Sequence, residues 1–179
     1  MNCLKTISIE HDFGKERLWF LSGLVMISYF IVYFLIFRTF YIQQPLVDYG
    51  LVFLFFIVFL VFPAHLFLHC LPIWLTGKRA TLGVRTNQWP YMYYSTKDPL
   101  PKQLVLLSIS SPAVVITFGA VMTTLIFPQW LHYMAMVSAL NIGMCVYDYM
   151  NFKQLKAAPK SSLIEEHRDG FHILFKSNT

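Results

Sequence analysis

The sequence is short of charge. Of its 179 residues only 13% are charged, and the acidic ones number nine. A soluble domain carries about a quarter charged residues, so this composition excludes an ordinary water-facing surface. Cysteine is scarce as well. Cys3, Cys70 and Cys145 are an odd set without paired spacing, which implies no disulfide framework. No apolar signal region precedes Cys3, which argues against a lipoprotein. A phosphate-cradling glycine loop, a dinucleotide fingerprint and a base-reading module are all lacking, so neither nucleotide nor nucleic acid is an expected partner. The net charge of +5 is spread over segments that flank apolar runs, where anionic lipid is the natural counterpart.

What the sequence has in excess is apolar and aromatic residues. Hydrophobic residues make up 56% of it, with 17 Phe, 10 Tyr and 4 Trp. Four apolar runs, uncharged but for Asp148 at the end of the last, predict membrane spans over residues 18–37, 51–74, 104–127 and 130–148, each close to the roughly 20 residues a bilayer needs. The first is too long for a signal-peptide core and no small-x-small cleavage site follows it, so it is expected to remain as a span. The expectation is an all-α membrane fold of four transmembrane helices in one domain, residues 1–179. A tail over 1–17, a middle segment over 75–103 and a tail over 151–179 flank the spans. Short strands are expected at 6–10 (weakly), at 80–84 and 91–94 around a turn at 88–90, and in a hairpin over 163–175 turning on Asp169-Gly170. Lys and Arg number three in the first tail, five in the middle segment and five in the last tail, against Arg38 alone in the remaining links. The positive-inside rule then predicts a multi-pass protein of the cell membrane with both termini cytoplasmic.

The second run carries His65 and His69, four apart and therefore on one helical face. Imidazole is the commonest zinc ligand, and this spacing is the one metalloproteases use. Those enzymes place a glutamate after the first histidine as general base. Here that residue is Leu66. In the fourth run Asn141, Cys145 and Asp148 share one face. Asp148 and the two histidines fall at similar depth in the half of the membrane nearer the basic segments, as do Ser110 and Ser111 of the third run. Blander roles fit the same residues. Neutral His65 and His69 bonded to Ser110, Ser111 or Asn141 would simply tie helices together. Asp148 alone reads as an interfacial carboxylate, and Cys70 and Cys145 as small packing residues. Pro63 and Pro72 free the carbonyls of Phe59 and Leu68, and Ser110-Ser111-Pro112 marks a kink.

The order of these features resembles a family of small bacterial membrane proteins, the zincin peptidases of a domain of unknown function. More distantly it is similar to the site-2 intramembrane metalloproteases. The family pattern runs His-Glu-x-x-His, a Gly-Lys segment, a proline-bearing span, a last span with Asn and a ligand aspartate, and a strand-forming tail. The matching residues are His65 to His69, Thr76-Gly77-Lys78, Ser110-Ser111-Pro112, Asn141 to Asp148, and 163–175. The resemblance implies His65, His69 and Asp148 as zinc ligands, and Cys145, on the Asp148 face, is the candidate for a fourth. Leu66 departs from the pattern. The remaining carboxylates lie in tails and links, so none is expected to serve as base. The expectation is therefore a degenerate peptidase that keeps the fold and the metal and binds a membrane protein or peptide. An active atypical protease, and a metal-free accessory subunit, are the alternatives.

Overall fold

The structure, a computed structural model, describes residues 2–7, 9–84, 92–96, 98–167 and 170–175. Its elements are β1 (Asn2–Ile7), α1 (Ile9–Phe13), α2 (Lys15–Phe40), α3 (Gly50–Leu75), β2 (Ala80–Val84), β3 (Met92–Thr96), β4 (Leu100–Pro101), α4 (Lys102–Ile126), α5 (Leu131–Lys156), β5 (Leu163–His167) and β6 (Gly170–Phe175). A single 3-10 turn, Pro128–Trp130, joins α4 to α5. The expected hairpins are present, and the turns expected at 88–90 and on Asp169 lie outside the described residues. The expected strand at 6–10 is displaced: β1 ends at Ile7, and Ile9 already belongs to α1.

Among the described residues, α2, α3 and α4 are long and apolar enough to cross a membrane. Each presents large apolar side chains outward, Phe20 and Leu24 on α2, Val52 and Phe59 on α3, Val114 and Phe118 on α4. The fourth expected span corresponds to α5, which is as long as α2 and α3, at 26 residues or about 39 Å. Its composition is less apolar because of its position. It packs against α2, α3 and α4, and it buries Ser138, Asn141 and Asn151. Small residues let α2 approach it closely. A Cβ on Gly143 would sit 3.0 Å from Met26 Cβ, and Ser22 Oγ donates to the Gly143 carbonyl at 2.8 Å. By length and composition α5 is not among the helices that could cross a membrane.

Backbone pairing gathers the polar segments at one end of the bundle. The sheet order β1-β6-β5-β4 unites the first tail, the last tail and the residues entering α4. The buried Lys102 Nζ donates to the carbonyls of Lys156 and Ala158, placing a cation at the C-terminus of α5 where the helix dipole favours it. At the far end the 41–49 link meets the α4–α5 turn, with Val47 N–H bonded to Gln129 O. The core beneath the sheet joins Ile164, Phe171 and Ile173 to Cys70 and Ile73 of α3 and to Leu104, Val105 and Ile109 of α4. This packing sets the hairpin directly against the ends of the helices that carry the site.

Candidate metal centre

The end of α3 is fixed by Gly77. At φ 74° it closes the helix with Gly77 N–H bonded to Trp74 O and Lys78 N–H to Ile73 O, a pairing that satisfies the last carbonyls. Pro63 and Pro72 both lie within the helix, which nonetheless runs unbroken from Gly50 to Leu75. About two and three turns before its end, His69 and His65 face inward, both buried.

Each histidine is anchored through Nδ1. His69 Nδ1 lies 3.0 Å from the Ser108 carbonyl, which can only accept, so this nitrogen carries the proton. The carbonyl is available because Pro112, four residues on, has no N–H to offer it. Ser108 Oγ returns a bond to the His69 carbonyl at 2.5 Å, which locks the two helices. His65 Nδ1 lies 2.9 Å from Asn141 Oδ1. The amide orientation follows from its other end, where Asn141 Nδ2 donates to the Pro112 carbonyl at 3.1 Å. His65 Nδ1 therefore also donates.

With both Nδ1 atoms protonated, neutral rings turn lone pairs inward from Nε2. These two nitrogens are 3.2 Å apart. Asp148 Oδ2 lies 3.1 Å from His65 Nε2 and 3.4 Å from His69 Nε2. With both rings neutral, three acceptors converge on one point where Oδ2 is buried, whereas a protonated ring would instead pair with Asp148. Leaving a buried acceptor unsatisfied costs about 1–3 kcal/mol, more for a charged one. Ligand atoms about 2.05 Å from a tetrahedral zinc are about 3.3 Å from one another, which is the spacing of these three. Cys145 Sγ joins a ring nitrogen of His65 and a carboxylate oxygen of Asp148 in a group whose ligand atoms all lie within 4.8 Å. The donor set fits zinc: two imidazoles whose other N–H is held by a carbonyl-type oxygen, and one carboxylate.

The expected residues His65, His69 and Asp148 are brought together by α3 and α5. Of the expected helix-tying partners Asn141 is in contact, whereas Ser110 turns back to the Leu106 carbonyl of its own helix. Ser108 takes the place of that pair. Leu66 is half-buried on α3. A carboxylate unexpected at this level is Glu166 of β5, whose Oε2 is buried and which lines a small cavity with Ser108 and Ile73. The sequence puts it in the last tail, and the hairpin packs that tail against the helix ends.

No curated protein and no solved structure matches the chain. A family model, described as "putative zincin peptidase", matches residues 58–163, a stretch running from mid-α3 to the start of β5 and holding the whole centre. The chain belongs to that family.

Proposed function

We propose that this protein is a zinc-holding membrane member of the zincin peptidase family, impaired in hydrolysis, whose bundle binds a membrane protein or peptide. In this reading His65, His69 and Asp148 hold the ion. One observation carries it: three buried acceptors meet at zinc-ligand spacing with no donor among them, while both imidazoles are fixed by Nδ1. A bound zinc supplies a Lewis-acid centre. The chain's contribution is to orient two neutral rings and to exclude water with the apolar side chains packed around them. Leu66 offers no group to accept a proton beside that centre, and general-base assistance is typically worth ~10²–10⁴ in rate. Cys145 is the candidate fourth ligand, and it would close the site.

The proposal includes α5 as a fourth span and the basic end of the bundle in the cytoplasm, since 13 of the 14 Lys and Arg belong to the segments at that end. Labelling of single cysteines at positions 45 and 160 by an impermeant reagent tests it, with only position 45 expected to react in intact cells. Activity is tested on full-length protein in vesicles with a membrane-spanning peptide. The expectation is no cleavage above a chelator-treated control, with zinc present in the same preparation. Cleavage that a chelator stops and that Leu66→Ala leaves unchanged would establish the active alternative. A protein without zinc would favour the accessory-subunit alternative, with one protonated histidine paired to Asp148.

A further inference from the structure

The far end of the bundle holds an open cavity of about 300 Å³, bounded by the 41–49 link and the first turns of α3 and α5. Leu46, Leu51 and Leu54 supply its apolar lining, and Asp48, His132 and Tyr133 its polar lining. His132 precedes Asp148 by more than four turns of α5, about 24 Å, so the cavity is separate from the metal centre. Its polar side is firmly held. Tyr133 is buried, with its hydroxyl 2.7 Å from Tyr49 N–H and its ring edge-on to Phe53 at 5.2 Å. That hydroxyl and Gly50 N–H both donate to Asp48 Oδ1, at 3.2 and 2.7 Å. The tie stops at Oδ1. Among the described residues Asp48 Oδ2 has no hydrogen bond and no ion pair, and Arg38, the basic residue of this end, donates instead to the Tyr41 and Gln44 carbonyls. His132 lies against the Tyr133 ring, centroids 3.9 Å apart, and its Nδ1 is buried without a partner.

The groups left over describe a ligand. An ionised carboxylate oxygen and an imidazole that is mostly neutral at pH 7 can both accept from an N–H donor. The three leucines suit an apolar stem, and Leu51, 71% exposed, carries that lining to the outer surface of α3. The opening turn of α3 has neither a side-chain cap nor an acidic residue, so its backbone N–H groups suit a phosphate. Tyr49 and Trp130, in edge contact at 6.3 Å beside the cavity, are residues that favour the depth of lipid headgroups. We infer that this cavity binds the headgroup of a primary-amine phospholipid. The ammonium donates to Asp48 Oδ2 and His132, the phosphate meets the N–H groups that open α3, and the chains follow Leu51 and Leu54 along the helix. A trimethylammonium headgroup has no N–H to donate and is discriminated against.

The test is native mass spectrometry of the full chain released from mixed micelles that hold phosphatidylethanolamine and phosphatidylcholine in equal amounts with the same acyl chains. Wild type is expected to retain one phosphatidylethanolamine, with a preference of about tenfold or more, as a hydrogen bond to a charged group supplies. Asp48→Asn keeps an oxygen for Gly50 and Tyr133 but loses the charge, and it is expected to lose the preference while its helix content by circular dichroism matches wild type. His132→Ala should lose part of it. Leu54→Trp, which fills the cavity and leaves the carboxylate in place, should lose the bound lipid. Asp12→Asn, at the basic end, should bind as wild type does. Equal retention of the two lipids by wild type would overturn the inference. So would a preference that survives in Asp48→Asn, or a bound lipid that survives in Leu54→Trp. Displacement of the lipid by an equal concentration of free hexylamine would overturn it too, because the cavity would then recognise a soluble amine.

Discussion

Two groups of hydrogen-bonded polar residues, at opposite ends of the bundle, differ in their balance of donors and acceptors. Towards the far end, Tyr33 Oη and Thr124 Oγ1 are 2.7 Å apart, and Thr124 passes its own proton to the Ala120 carbonyl. Nearby, Tyr133 Oη accepts from Tyr49 N–H and donates to Asp48 Oδ1. In both of these chains each oxygen that accepts meets a donor, so they work as ties between segments and ask for nothing else. The cluster near the basic end has three inward acceptors, two Nε2 and one Oδ2, and the donors that could serve them are spent on Ser108 and Asn141. Polar groups within a membrane helix are therefore not equivalent. A tie closes its own hydrogen bonds, whereas a cation site leaves acceptors over.

The largest break in that contrast comes from the histidines. A His65→Ala/His69→Ala variant is expected to retain no zinc after passage over a desalting column, while its helix content by circular dichroism stays near that of wild type. Next is Asn141→Ala, which removes the acceptor fixing His65. Zinc affinity should fall 10–100-fold with the ligands intact, as measured by competition with a chromophoric chelator. On the other side of the comparison, Tyr33→Phe should weaken the fold by about 1 kcal/mol and leave zinc binding unchanged.

The smallest effect concerns Asp48. Its carboxyl is held below the usual range, first by the Gly50 N–H and then by the Tyr133 hydroxyl. A depressed folded-state value means the stabilisation is complete above the ordinary carboxylate pKa and is lost as pH falls below about 4. The melting point of wild type should therefore drop slightly more on acidification than that of Asp48→Asn. Asp48 is solvent-exposed, so the difference will be small.

Much of this arrangement was legible before any coordinates. The apolar runs located α2, α3 and α4, the alternation over 163–175 located the last hairpin, and the i, i+4 spacing placed His65 and His69 on one face. Helix ends were harder. The run ending at Asp148 stops where charge begins, but α5 continues to Lys156, because charge alone does not end a helix. Ser108 was missed in favour of Ser110 and Ser111, although a signal existed. Pro112 removes the N–H that would bind the carbonyl four residues back, and that carbonyl belongs to Ser108. The same reasoning applied to Pro63 and Pro72 names Phe59 and Leu68. Glu166 could not be found from sequence, because its position depends on the hairpin packing against helices nearly a hundred residues earlier in the chain.

In the proposed reading the surplus of acceptors is met by a metal ion. The most direct test is metal analysis of the full chain, purified in detergent without chelators and compared with Asp148→Asn prepared in parallel. About one zinc per wild-type chain is expected, with a large loss in the variant. Wild-type protein that is folded, free of zinc and unable to take it up on addition would contradict it. The three acceptors would then share a proton as an ordinary histidine–aspartate pair, and the two polar clusters would differ in degree only.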